Sequence, residues 1–79
     1  MRYEVTTTLT LQEALERAPA HFGPGGEGRD ITSRNECSIV FQGGGGYVAI
    51  TAQAEEKTTL ELETREWDRA VQQFMRQVH

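Results

Sequence analysis

The sequence predicts a two-layer α+β domain: an antiparallel sheet with both helices on one face, in the order β-α-(β)-β-β-β-α. Residues 2–9 and 37–64 alternate apolar and polar side chains with the period of two that marks a half-buried strand. Two other segments, starting near Leu11 and near Arg65, repeat apolar residues at helical spacing. The turns inside residues 37–64 are short, and short turns join antiparallel strands, because a parallel pair needs a long crossover. At 79 residues the chain has room for a single compact domain spanning residues 1–79.

In the first strand Tyr3, Val5, Thr7 and Leu9 share one side and Arg2, Glu4, Thr6 and Thr8 the other. Thr10-Leu11-Gln12-Glu13 then fits a capping box: the Thr10 hydroxyl accepts from the third helical N–H and Glu13 reaches back to the N-cap N–H. Leu9 and Ala14 form the accompanying hydrophobic staple, and Leu11, Ala14, Leu15, Ala18 and Phe22 make the apolar stripe. Pro19 disfavours helix at the residue before it, which predicts that the helix stops by residues 18–20. A flexible Gly-rich loop over residues 19–30 follows, with Asp30-Ile31-Thr32-Ser33 as a candidate short strand.

Within residues 37–64, Cys37, Ile39 and Phe41 alternate with Ser38, Val40 and Gln42, and Cys37 reads as a small buried hydrophobe. The run Gly43–Gly46 turns the chain, Val48, Ile50 and Ala52 continue the alternation, and Ala54-Glu55-Glu56-Lys57 forms a second turn before Leu60 and Leu62. Thr64 is the expected N-cap of the last helix, with Glu66 and Asp68 near its positive end and Arg76 near its negative end. Trp67, Ala70, Val71, Phe74, Met75 and Val78 form that helix's apolar face.

Composition narrows the function. A net charge of −4 and a sequence pI near 5.0 demote nucleic acid, whose phosphates are bound by clustered Lys and Arg. No apolar run approaches the roughly 20 residues that span a bilayer, so no membrane role is expected. Met1-Arg2-Tyr3-Glu4 lacks the charged-then-apolar order of a signal peptide, and a cytoplasmic location is the expectation. With a single cysteine there is neither an intramolecular disulfide nor a Cys-rich zinc site. His21 and His79 lie at no metal-ligand spacing, so neither a metal nor a cofactor is expected.

The eight glycines fall into two stretches, Gly23 to Gly28 and Gly43 to Gly46. Gly43–Gly46 joins two strands and leads into no helix, so a hairpin turn accounts for it better than a phosphate cradle. A turn needs only one or two glycines and leaves the surplus unexplained, and a close backbone approach by a partner or ligand is the functional alternative. The Gly23–Gly28 stretch is either a passive connector or a lid over a pocket between helix and sheet. No serine sits in a nucleophile motif and no carboxylate in a recognisable acid–base frame, so no catalytic residue is assigned and the chain is read as a non-enzyme.

If Ile39, Phe41, Val48, Ile50, Leu60 and Leu62 face the helices, the opposite face presents Val40, Tyr47, Ala49 and Thr51 at its centre. Arg2, Glu4, Gln42, Gln53, Glu61 and Glu63 surround them, and an apolar centre with a polar rim is how an interface is built. A core below about 80 residues rarely supplies more than 3–5 kcal/mol, which favours association. The leading expectation is a small interaction or self-association module, a homodimer or a protein-docking domain, working through that face.

Strands followed by a long C-terminal amphipathic helix, here Leu60-Glu61-Leu62-Glu63-Thr64-Arg65-Glu66-Trp67-Asp68 onward, loosely resemble helix-grip and TATA-binding-protein-like domains in architecture over residues 37–79. The helix-grip resemblance implies the alternative: a small apolar ligand held between sheet and helix, in a crevice lined by Phe22, Phe41, Trp67 and Phe74. Resemblance of architecture alone transfers no function.

Overall fold

The structure, a computed structural model, describes residues 1–23 and 28–79. Its elements are β1 (Arg2–Thr7), α1 (Leu11–Phe22), β2 (Asp30–Arg34), β3 (Ser38–Gly43), β4 (Gly46–Ala54), β5 (Thr58–Arg65) and α2 (Asp68–Val78). The five strands form one antiparallel sheet in the order β1-β5-β4-β3-β2. β2 to β5 run as a meander, and β1, first in the chain, joins the far side against β5. The two-layer α+β arrangement expected from the alternation and the two apolar stripes is the one observed.

Periodicity decides which side of the sheet each helix covers. Ile39, Phe41, Val48, Ile50, Leu60 and Leu62 are all fully buried, as are Ala18, Phe22, Val71 and Phe74 from the helices. Each large apolar side chain removed from water contributes about 1.5–3 kcal/mol, which makes this layer the source of the fold's stability. α1 starts at the expected capping box: Glu13 N–H donates to Thr10 Oγ1 at 3.1 Å and Thr10 N–H to Glu13 Oε1 at 3.0 Å. The two helices are also tied directly, by His21 Nε2 donating to the Ala70 carbonyl at 3.0 Å.

Four local expectations are corrected. α1 runs through Pro19 to Phe22. Phe22 is fully buried against Phe41 and Phe74, and that burial outweighs the hydrogen bond Pro19 cannot donate. The connector therefore begins at Gly23 and not at residue 19; its middle, residues 24–27, and with it the loop's suggested flexibility or lid role, lies outside the described residues. Cys37 is exposed and precedes β3: its N–H donates to Asn35 Oδ1 at 3.0 Å in a side-chain-closed turn, so it sits beyond the cover of the helices. Thr64 caps no helix; it lies in β5, its hydroxyl donating to the Tyr47 carbonyl at 2.8 Å.

The last correction has a geometric cause. β5 continues to Arg65, and the chain reverses at Glu66, which takes a φ of 82°. α2 then starts at Asp68 with Trp67 at its N-cap and no side-chain capping bond. Tyr3 Oη donates instead to Asp68 Oδ2 at 2.9 Å, and the Thr7 hydroxyl donates to the Val78 carbonyl. β1 thereby runs alongside α2 in the same direction, bonded to it near both ends.

Candidate functional site

Strand register places the side chains of the uncovered face in rows across the sheet. One row reads Arg2, Glu63, Ala49, Val40, Ser33 from β1 to β2. On one side of it lies the row Arg65, Tyr47, Gln42, Asp30, and on the other Glu4, Glu61, Thr51, Ser38. Val40, Tyr47, Ala49 and Thr51 thus meet on one face: Val40 directly opposes Ala49, with Tyr47 and Thr51 flanking Ala49 along β4. Val40, Tyr47 and Ala49 are half-buried and Thr51 is exposed, although no helix covers this side. Arg2, Glu4, Gln42, Gln53, Glu61 and Glu63 surround that centre as the alternation predicts.

A polar chain crosses three strands of this face. Tyr47 Oη donates to Glu63 Oε2 at 2.5 Å along the diagonal between β4 and β5, and Arg2 Nη2 meets Glu63 Oε1 at 3.2 Å. The Tyr47 hydroxyl bond, followed by that of Arg2, holds the Glu63 carboxyl below the usual carboxylate range. The same bond to Glu63, joined by partial desolvation, pushes the Tyr47 phenol above 10.0. Arg2 to Glu63 is the one ion pair among the described residues and is solvent-exposed, so it adds little stability, while the bond from Tyr47 Oη to Glu63 tethers the ring to the face.

Beside this satisfied chain the row of Glu4 and Glu61 is electrostatically unfavourable. The two carboxylates lie directly opposite each other on β1 and β5, a like-charge pairing that destabilises a sheet. Glu55 and Glu56 in the next turn line the same shallow cleft, with Lys57 as its cation. Arg65, one row beyond Tyr47, is exposed and forms no ion pair among the described residues.

The four aromatic residues of the suggested crevice meet a different fate. Phe22, Phe41 and Phe74 are fully buried, and the ring of Phe22 lies 5.4 Å from that of Phe41 and 5.3 Å from that of Phe74. These rings fill the space between sheet and helices. Trp67 is buried in the same core, with the guanidinium carbon of Arg29 4.0 Å over its ring. The clefts described here and below are lined by none of the four.

The reversal that leads into Trp67 accounts for one glycine beyond those the turn needs. Gly44 and Gly45 form a two-residue hairpin loop with φ of 58° and 84°, the pair of positive values that a type I′ turn requires. Gly46 is needed for a separate reason: a Cβ there would run into the Arg65 carbonyl and lie 3.1 Å from Trp67 Cε2. The hairpin is thus pressed against the reversal at Glu66 and clasped from outside by Arg29, so the approach that Gly46 permits is made by the chain itself and not by a partner or ligand.

One groove went unread in the sequence. Glu4, Val5 and Thr6 of β1 and Gln72, Met75, Arg76 and His79 from the α2 end line an open cleft of about 630 Å³ along the sheet edge. Its signal lay in the pairing of the first strand with the last, which periodicity does not report. Among the described residues no group of His, Cys, Asp or Glu is gathered as a metal site, and no helix is long and apolar enough to cross a membrane. Comparison of the chain with family models, with curated proteins and with solved structures gives no significant match.

Proposed function

We propose that the chain is a small non-enzymatic module that self-associates through the uncovered face of its sheet. The observation that carries this reading is the pattern of that face about the row holding Ala49 and Val40. A two-fold axis laid along that row sets Val40 and Ala49 on their counterparts in a second copy, and each Arg2–Glu63 ion pair on its own counterpart. The same rotation exchanges the two flanking rows, bringing Tyr47 over Thr51 and the unpaired Arg65 over Glu61, where a cation relieves the Glu4–Glu61 repulsion. A face five strands wide is about 24 Å across at a spacing of about 4.8 Å. A standard interface of about 800 Å² per partner would occupy nearly all of it, which fits a dimer of modest affinity.

Sedimentation equilibrium across the micromolar range tests the reading. A concentration-dependent dimer is expected, and Ala49→Arg should abolish it. Arg65→Glu and Glu61→Arg should each weaken the dimer, while the double variant, which restores the opposite charges, recovers it. A monomer at every concentration, or single and double variants that behave alike, would reject the pairing.

A further inference from the structure

The edge of β1 is a surface separate from the uncovered sheet face. Met1 and Thr64 exchange both backbone hydrogen bonds, each at 2.9 Å, which fixes the phase of the whole β1–β5 ladder. Counting in twos from that pair, Tyr3, Val5 and Thr7 turn their N–H and C=O groups toward β5. Those of Arg2, Glu4 and Thr6 therefore point away from the sheet, off its edge. Glu4 and Thr6 are two of the residues that line the groove between β1 and α2, so the free backbone donors and acceptors open into that groove.

The groove offers more than a bare edge. Val5 and the half-buried Met75 supply its apolar surface. At its Thr6 end stand Arg76 and His79 from the last turn and cap of α2, and Arg76 forms no ion pair among the described residues. Gln72 lies toward the Tyr3 end, its amide 3.4 Å from Tyr3 Oη. The rim's carboxylate, Glu4, leaves β1 from the opposite face, since its parity is that of Arg2 and Thr6. Among the described residues, no other carboxylate side chain lines the groove beside Arg76.

We infer that this groove binds an extended peptide segment by strand addition to β1, with an apolar side chain over Val5 and Met75 and an acidic one beside Arg76. Main-chain bonds to Glu4 and Thr6 supply the affinity, and the apolar surface of Val5 and Met75 and the cation of Arg76 supply the choice of side chain. The helix running alongside β1 turns an open sheet edge, otherwise a liability for aggregation, into a slot with a defined floor and a defined polarity.

The probe is a short capped synthetic peptide in which threonine alternates with valine, valine and glutamate, paired with a second in which lysine replaces the glutamate. Hydrogen exchange followed by NMR should show the Glu4 and Thr6 amides gaining protection with the glutamate peptide, while the Tyr3 and Val5 amides are protected throughout. Arg76→Glu should weaken that peptide about three- to tenfold and improve the lysine peptide in return. Thr6→Pro should remove binding without costing a bond to β5, since proline is tolerated where the N–H faces outward. Ala49→Arg, on the sheet face, should leave peptide affinity unchanged, so this site and the self-association surface fail separately. Peptide-induced changes centred away from Glu4 and Thr6, or no discrimination between the peptides, would overturn the inference. So would protection of those amides that rises with protein concentration alone, which would mark a second copy as the occupant.

Discussion

The two faces of the sheet are written with the same alternating code and end in opposite conditions. On the helix side the central positions of β3, β4 and β5 are sealed: Ile39, Phe41, Val48, Ile50, Leu60 and Leu62 are each at most 1% exposed, and the phenylalanine rings occupy the volume between the layers. On the other side Val40, Tyr47 and Ala49 reach only half-burial, and the charges are not balanced where they stand. Glu63 is satisfied twice, by Tyr47 and Arg2, whereas Glu4 opposes Glu61 and Arg65 stands alone among the described residues. The difference separates residues that make the fold from residues that the fold leaves open.

Substitutions can break that contrast or sharpen it. The largest effect belongs to the sealed side: Phe74→Ala should cost about 3–5 kcal/mol in urea unfolding, because it removes a ring packed on Phe22 and leaves a cavity. Next comes the junction of hairpin and helix, where Gly46→Ala should cost about 1–3 kcal/mol from overlap with the Arg65 carbonyl. Gly45→Ala, with open space around its Cβ, should show only the backbone strain of its positive φ, about 1 kcal/mol. On the open face, Ala49→Arg should change the unfolding free energy of the monomer by no more than about 0.5 kcal/mol while altering its association. A cost near that of Phe74→Ala would show that the face is structural after all.

The smallest effect is a pH dependence. Glu63 has a folded pKa below its ordinary value of 4.5, so its contribution to stability is present above that value. That contribution is lost as pH falls from about 4.5 through the folded pKa. Glu63→Gln should therefore flatten part of the acid limb of a stability–pH curve measured by chemical denaturation. Glu13, lowered in the same way by its bonds to Thr10, keeps its own share, so the limb should shrink and not vanish. Superimposable curves would show that the Tyr47–Glu63 bond leaves the folded state's proton affinity unchanged.

What the sequence disclosed follows from the range of each interaction. The capping box at Thr10, the strand parity and the apolar stripe of α2 are set within a few residues, and all are visible in one dimension. Pro19 and Thr64 misled because their local preferences were overridden: Phe22 holds the last turn of α1 in place, and the Tyr47 carbonyl claims the Thr64 hydroxyl. Cys37 had the right parity but stood one residue outside the strand, where Asn35 closes a turn. The composition of the open face was likewise readable from parity. Its partners were not, since the neighbour of Arg2 is Glu63, 61 positions away. Nothing in the run of glycines could announce that Trp67 and the Arg65 carbonyl would press on it.

The placement of β1 also orders events in time. A ribosome extends a chain at about 5–20 residues per second, and this strand is finished long before residues 58–65 exist to receive it. For several seconds the β1 segment, with Tyr3 and Val5, has no native partner. Each hairpin of the β2–β5 meander can close as soon as its second strand emerges. Anything that shields the first strand during that wait, including α1 folding directly behind it from a strong cap, protects the young chain from joining the wrong edge.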